Sequence, residues 1–456
     1  MPQVTRWPVR IEPGKSRAHA RTDLRVPASG SGLDVLTILL AGGAGERLRP
    51  LTRHHAKPVL PFGGIYRLID VTLSNCVNSG LRRIYVLTQH KALSLNRHLR
   101  DTWNILPVQL GEFIEVLPPT RQLRDTWYLG TADAVYQNMQ SIEEEKPPFV
   151  LILSADHVYK MNYLDMLRRH LEEDADVTVA TTQVVPCEAS RFGIVEVEED
   201  FELTGFAEKP RFGDPEGSGS APATCRASMG IYLFSTQVLL EALREDAGDS
   251  DSDHDFGWNV LPGLVGRRRV FAYDFTEENP RRPSYWRDVG TLDAYYEANM
   301  DLLGAPPVFD LYDRQWPIHT TPAQCPPARF VPAEGGTRMG GVFNSLVSHG
   351  CVVFGSRITN SVLSPGVRIH SDSEVDRSVL LSNVILGRGS RIRHAIVDRN
   401  SRVPAHSQIG YDIESDRRAG HLVTDSGIVV VRSEAATRSV VDQETACGLR
   451  VLASGA

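Results

Sequence analysis

From Leu346 to Ile409 apolar residues recur on a count that few folds can use. Leu346, Val352 and Ile358 are followed 17 residues later by Leu363, Ile369 and Val375, then by Leu380, Leu386 and Ile392, then by Val397, Val403 and Ile409. Three residues past the first two members of every triplet stand His349, Gly355, Gly366, Asp372, Asn383, Gly389, Asn400 and His406. These are the residue types that best tolerate a positive φ. Apolar residues at every sixth position ask for short strands turned toward one axis, and the residues between them supply tight corners. The pattern predicts three strands per coil, about four coils deep, stacked as a parallel β-helix.

Upstream the pattern is different. The apolar stretch Leu36, Ile38, Leu39, Leu40 runs into Gly42-Gly43-Ala44-Gly45, a buried strand followed by a glycine loop. Ile69, Leu73, Cys76 and Val77 then share one helical face, Gly80 stops the helix, and Ile84 to Leu87 form the next strand. The alternation repeats with a helix capped by Thr131 and carrying Val135, Met139 and Ile142, followed by a strand from Phe149 to Leu153. Strand and helix in alternation predict an α/β domain with a Rossmann-like, mostly parallel sheet, whose ligands gather at the carboxyl ends of the strands. Seven prolines between Pro306 and Pro332 mark an irregular linker. The expected organisation is an N-terminal extension over 1–33, an α/β domain over 34–303, a linker over 304–340, the β-helix over 341–432 and a tail over 433–456. Residues 1–33 hold five Arg and one Lys against one Glu and one Asp, without the apolar run of a secretory signal. They read either as a disordered extension or as an organelle transit peptide.

Charge and cysteine spacing exclude several functions. With 49 Lys and Arg against 56 Asp and Glu, a net charge of −7, the chain is a poor fit to duplex nucleic acid. The apolar stretches are too short to span a bilayer. The six cysteines are spaced too widely for a zinc or redox centre and suit a reducing compartment, the cytoplasm.

The residues that could do chemistry lie at the strand ends. The glycine loop is either a close backbone approach to a phosphate or purine or a plain tight turn. Arg47, Arg49, Arg53 and Lys57 follow it closely, as suits a polyphosphate, although a solvated basic face has the same composition. Asp156 stands just beyond an apolar strand and Asp288 lies 132 residues later, two hard oxygen donors able to hold Mg²⁺ against substrate phosphates or, singly, to cap helices. Lys209 is either a phosphate ligand or half of a surface ion pair with Glu208, which could instead accept from sugar hydroxyls.

With those residues in view the chain resembles the sugar-1-phosphate nucleotidyltransferases, and within them the ADP-glucose pyrophosphorylase family. The general likeness lies in Gly42 to Thr52 and Ala56-Lys57-Pro58. The narrower one lies in Phe62 to Asp70, Leu73-Ser74-Asn75, Asn78-Ser79-Gly80, Trp127 to Ala134, Ser252 to Gly257 and Tyr285 to Thr291. It covers about residues 34 to 432. The resemblance implies adenylyl transfer from ATP to glucose 1-phosphate, releasing pyrophosphate and supplying glycogen or starch synthesis, and a left-handed β-helix. It implies ATP contacts at Gly42, Gly43, Gln89, Gly130 and Thr131, catalytic roles for Arg47, Lys57 and Asp156, and Mg²⁺ on Asp156 and Asp288. Glucose 1-phosphate would be held by Glu208, Lys209 and Ser228. A homotetramer controlled by phosphorylated metabolites at a basic site near the domain junction is implied as well.

Three positions depart from the pattern: Ala44, Leu129, and His54, which stands where some relatives carry an activator-binding Lys. The stretch Arg53-His54-His55 therefore offers one permanent cation and two imidazoles. The alternatives are a GDP-mannose-type pyrophosphorylase and a non-catalytic regulatory subunit. Asp156, Lys209, Asp288 and Arg47, which such subunits tend to lose, are all present.

Overall fold

Val35–Leu40 (β1) is an almost uninterrupted apolar run because both of its faces are covered. In the computed structural model, which describes residues 34–118, 127–210, 224–275, 284–333 and 340–432, β1 is central to a nine-stranded sheet. The other strands are Arg83–Leu87 (β2), Phe113–Leu117 (β3), Phe149–Ser154 (β4), Val177–Val184 (β5), Gly193–Val197 (β6), Leu203–Glu208 (β7), Cys225–Ser235 (β8) and Val270–Asp274 (β9). Strands β3, β2, β1 and β4 are parallel neighbours. Their side chains alternate between two cores: along β4, Val150 and Ile152 face one, Leu151 and Leu153 the other. Beyond β4 the direction reverses. Strand β8 runs antiparallel to β4, β5 and β6, so the sheet is mixed, with a parallel half that carries the glycine loop. The expected extension over 1–33 and tail over 433–456 lie outside the described residues.

The helix expected from Thr131 is two helices, Thr131–Tyr136 and Met139–Glu145. Asn138 separates them; its side-chain amide donates to Ala134 O and to the Tyr128 hydroxyl. Thr131 is not the cap either, because Gly130 occupies the N-cap position.

The C-terminal repeat folds into the stacked coils its count predicts. Ile358 pairs with Val375 and then Ile392, Ile369 with Leu386 and then Val403, and Leu363 with Leu380 and then Val397, all in parallel register. The first coil departs from this. There Val353 and Val347, not Val352 and Leu346, pair with Ile369 and Leu363. A one-residue shift exchanges the faces of a strand, and Val353 is accordingly buried while Val352 is half-buried. The corner moves too: Gly350 takes the positive φ expected of His349, and the other seven corner residues have it as predicted. The third corner of each coil is made by Asn344, Asn360, Arg377 and His394, also at positive φ. Serines at the inner corners tie coil to coil, as where Ser361 Oγ accepts from Ser378 N and Ser378 Oγ from Ala395 N.

The proline-rich segment is less irregular than its composition suggests. Arg329–Val331 is a strand that pairs with Val352–Phe354 and so belongs to the coil stack. Phe309 and Ile318 are buried in a core shared by the two halves, with Leu48, Phe62, Val289 and Tyr295 from one side and Val379, Ile396 and Val430 from the other. The Tyr296 hydroxyl donates to Arg377 O across the same junction. No described helix is long and apolar enough to cross a membrane.

Candidate active site

Asp156 follows β4 at the carboxyl end of the parallel half, where Ala155 N still donates to Leu40 O. Asp288 is brought beside it by a short antiparallel ribbon, His157–Tyr159 with Trp286–Asp288, in which Asp288 is the direct partner of His157. Cross-strand partners are close neighbours, which is how two carboxylates far apart in sequence meet. Lys57 lies between them, its Nζ 2.5 Å from Asp156 Oδ2 and 3.6 Å from Asp288 Oδ1. Ser154 Oγ donates to Asp156 Oδ1 at 2.5 Å.

The charges in this group set one another. Burial alone would raise Asp156, but the Lys57 ammonium, His157 and the hydrogen bonds from Lys57 and Ser154 hold it well below the usual carboxylate range. Burial would lower Lys57, yet Asp156 and Asp288 keep it above its ordinary value. Both therefore stay ionised at neutral pH. Two carboxylates and a histidine offer donor atoms within 4.8 Å of one another, close enough to share a divalent cation, so the residues fit Mg²⁺.

The glycine loop closes over the same spot. Gly45 adopts a φ of +65°, and a Cβ there would meet Thr52 Cγ2 at 3.0 Å and Lys57 Cβ at 3.2 Å, so glycine lets the loop lie against Lys57. Arg47 is exposed on the following turn, and its Nη2 is 3.2 Å from where a Gly290 Cβ would stand, beside Asp288. A Cβ on Gly42 would be 3.2 Å from Gln89 Cβ, whereas Gly43 faces open space. Gln89 Nε2 donates to Tyr128 O, and His90 stacks on the exposed Trp127.

Gly130 and Thr131 lie against the segment 252–257. A Cβ on Gly130 would be 2.2 Å from His254 O, and that carbonyl accepts from both Ala132 N and Asp133 N. The Thr131 hydroxyl donates to Asp255 Oδ2 and accepts from Phe256 N. Thr131 thus braces this wall of the cleft. His254 itself has a positive φ and is buried, with Nδ1 2.9 Å from Asp246 Oδ2.

On the other wall Glu208 is mostly buried at the end of β7, and Lys209 Nζ, half exposed, donates to its Oε1 at 2.6 Å. Glu208 Oε2 also packs against Gly257, where an added Cβ would be 2.5 Å away. Ser228 is buried; its Oγ accepts from Gly230 N and lies 3.4 Å from the Tyr232 hydroxyl. Gly230 in turn backs onto His157 Cε1. A continuous line of contacts therefore links the carboxylates through Gly230 and Ser228 to Tyr232, and Glu208 through Gly257 to Asp255 and Thr131. His157, Asp255 and His254 were not singled out from the sequence for any role. His157 adjoins Asp156 and could have been noticed; the work of His254 is done by its carbonyl, which no side-chain pattern reveals.

A second group of cations lies near the domain junction. Arg49, Arg53, Lys91 and Arg432, with Pro50 and Leu422, line a cavity of about 430 Å³. Next to it the two imidazoles of the basic stretch separate. His54 is exposed, while burial, reinforced by Arg399 and Arg67, pushes His55 down to about 3. His55 is therefore neutral near physiological pH and cannot serve as a cation there.

A mixed sheet with this loop and carboxylate pair, followed by stacked coils, defines a nucleotidyl transferase with a hexapeptide-type β-helix. Residues 36–304 match the nucleotidyl transferase family model, and residues 326–431 match that of the GlmU-like C-terminal hexapeptide. The chain is similar to the glucose-1-phosphate adenylyltransferase of Koribacter versatilis (strain Ellin345), 56% identical over 88% of this chain and 95% of that one. It is also similar to that of Rhodopirellula baltica, 50% identical over 87% and 89%, and that of Frankia casuarinae, 47% identical over 87% and 97%. The chain belongs to the glucose-1-phosphate adenylyltransferase family.

Proposed function

We propose that the chain transfers the adenylyl group of ATP to glucose 1-phosphate, giving ADP-glucose for glycogen or starch synthesis and releasing pyrophosphate. The observation that carries this reading is the Lys57-bridged pair Asp156 and Asp288 beside the glycine loop. Gly42, Gly43, Gln89 and Gly130 shape the ATP side of the cleft, with Thr131 holding its wall. Glu208 accepts from sugar hydroxyls, Lys209 neutralises the sugar phosphate, and Ser228 supports that pocket. The sugar-phosphate oxygen attacks the α-phosphorus in line, and both substrates arrive already anionic, so no general base is required. Arg47 neutralises the departing pyrophosphate and Lys57 the phosphate charge between the carboxylates. Asp156 and Asp288 would hold Mg²⁺, which when bound supplies further neutralisation of phosphate charge.

The cavity lined by Arg49, Arg53, Lys91 and Arg432 supports control by a phosphorylated metabolite. A homotetramer built partly through the β-helix, and a cytoplasmic location, belong to the same reading. The decisive experiment is pyrophosphate release from ATP with glucose 1-phosphate against GTP with mannose 1-phosphate, each with Asp156→Asn as control. Release only from the second pair, or from neither with and without sugar phosphates as activators, would overturn the proposal.

A further inference from the structure

Beside the two carboxylates stands a third donor that the adenylyl-transfer reading leaves without a task. We propose that His157 is a nitrogen ligand, through Nε2, to the divalent ion held by Asp156 and Asp288, an inference that rests on the reading of those two carboxylates as the ion site. Nε2 lies 3.5 Å from Asp156 Oδ1 and 3.7 Å from Asp288 Oδ1. Two ligands about 2.1 Å from one ion stand roughly 3.0–3.4 Å apart at octahedral or tetrahedral angles. Nε2 thus needs to close on each of these oxygens by only a few tenths of an ångström, and all three donors already lie within 4.8 Å of one another.

The two oxygens of Asp156 are already divided between Lys57 and the imidazole, while Asp288 Oδ1 is met by both, 3.6 Å from Lys57 Nζ and 3.7 Å from His157 Nε2. Lys57 takes Asp156 Oδ2, so Asp156 Oδ1, positioned by Ser154 Oγ, is the oxygen that faces the imidazole. The ring has little freedom. It is fixed by the ribbon opposite Asp288, stands edge-on to Trp286 with centroids 5.3 Å apart, and backs onto Gly230. Nδ1 is buried without a hydrogen-bond partner among the described residues, so the polar neighbours there that orient the ring are the two carboxylate oxygens met by Nε2. An unprotonated Nε2 would direct its lone pair at two anions. A divalent ion at that point would take the nitrogen and the two oxygens as one ligand set.

The assignment has a chemical consequence. An all-oxygen site favours Mg²⁺, whereas an imidazole nitrogen raises affinity for Mn²⁺ and Co²⁺ along the first-row series. The test uses the full chain with saturating Mn²⁺ and no nucleotide, read by electron spin-echo envelope modulation, which detects nitrogen bonded to the metal. Nitrogen modulation is expected. Its pattern should change when histidine is supplied with heavy nitrogen, a control that alters no residue, and it should vanish in His157→Gln. Co²⁺ affinity of that variant should fall on the order of 10-fold or more, since even outer-shell partners are worth about 10–100-fold; Mg²⁺ affinity should fall less. Mn²⁺ bound without nitrogen modulation, modulation that survives in His157→Gln, or full turnover by a free chain that binds no Mn²⁺ would each overturn the assignment and leave adenylyl transfer standing. A chain that neither binds Mn²⁺ nor releases pyrophosphate would overturn the two-carboxylate reading beneath it.

Discussion

Lys57 Nζ and Asp156 Oδ2 approach to 2.5 Å, so an ammonium lies against the carboxylate assigned to the metal. Removing one partner of such a pair leaves the other charge buried and uncompensated, at a cost of about 3 kcal/mol. Lys57→Met should therefore destabilise the fold by about that amount, and Mg²⁺ should restore part of the loss by neutralising the same carboxylates. The signs in pH follow from the two shifts. Asp156 lies below its unfolded value, so its contribution is present above pH ~3.9 and lost as pH falls further. Lys57 lies above its own, so its contribution is present below pH ~10.4 and lost as pH rises through the folded value. Urea titrations with and without Mg²⁺ measure this; a variant as stable as the parent would show that the pair contributes nothing.

Asp156→Asn should cut turnover by about 10³-fold or more, because a neutral amide holds a metal and developing phosphate charge poorly. Lys209→Ala should behave differently. Its ion pair with Glu208 is half exposed, and such pairs contribute about 0–1 kcal/mol, so the melting temperature should barely move. The KM for glucose 1-phosphate should rise, as when a ground-state phosphate contact is lost. A rise in the ATP KM instead would place Lys209 in the wrong pocket.

How far the sequence could be read depended on how local each feature is. The 17-residue count exposed the coils because, from Ile358 to Ile409, strands of successive coils pair residues one repeat apart. It failed at Leu346-Val347 and Val352-Val353, where the step to the next coil is 16 residues and an apolar neighbour stands at the position the 17-residue count selects. Strand direction was not legible: the apolar run of β8 carries no mark of running against β4. The neighbourhood of Asp156 and Asp288 follows from a ribbon between distant segments, so the sequence offered both as hard oxygen donors but held no spacing that shows them meeting.

The shared core predicts what truncation does. A chain ending at Leu303 loses Phe309, Ile318, Val379, Ile396 and Val430 and bares Leu48, Phe62, Val289 and Tyr295. Exposed contiguous apolar surface promotes aggregation. Such a chain should be insoluble or aggregated by size-exclusion chromatography even though it retains Asp156, Lys209 and Asp288. A soluble, fully regulated tetramer from it would contradict both the shared core and the proposed role of the β-helix.

Thr131 offers a test of how the ATP wall is held. Thr131→Val keeps the volume but removes the bonds to Asp255 Oδ2 and Phe256 N, leaving an acceptor and a donor without partners. The stability loss should be about 1–3 kcal/mol. Because the segment 252–257 caps the helix that follows Gly130, the ATP KM should rise together with it. Thr131→Ser restores both bonds and should recover both values. An unaltered ATP KM in the valine variant would detach this wall from nucleotide binding.

The last prediction concerns the half-buried imidazole of His55, next to the cation cavity. His55 is lowered from about 6.5 to about 3, chiefly by burial and then by Arg399 and Arg67. A histidine whose folded value is depressed binds fewer protons folded than unfolded, so its contribution is complete above pH ~6.5 and is lost as pH falls toward 3. One unit of such a difference is worth about 1.4 kcal/mol, so folding stability should drop by roughly 2 kcal/mol between pH 6.5 and 5 from this residue. His170, buried and lowered to about 4, adds a second contribution of the same sign. His55→Gln should flatten the first part of this dependence, read from urea midpoints across that range. It should leave the pH profile of activation by phosphorylated metabolites unchanged between pH 6.5 and 8, because the ring is neutral throughout. His54→Lys, at the exposed neighbour, should change that profile if the effector meets this stretch of chain. Identical activation profiles for the parent and His54→Lys would move the effector contact to Arg49, Arg53, Lys91 and Arg432 alone.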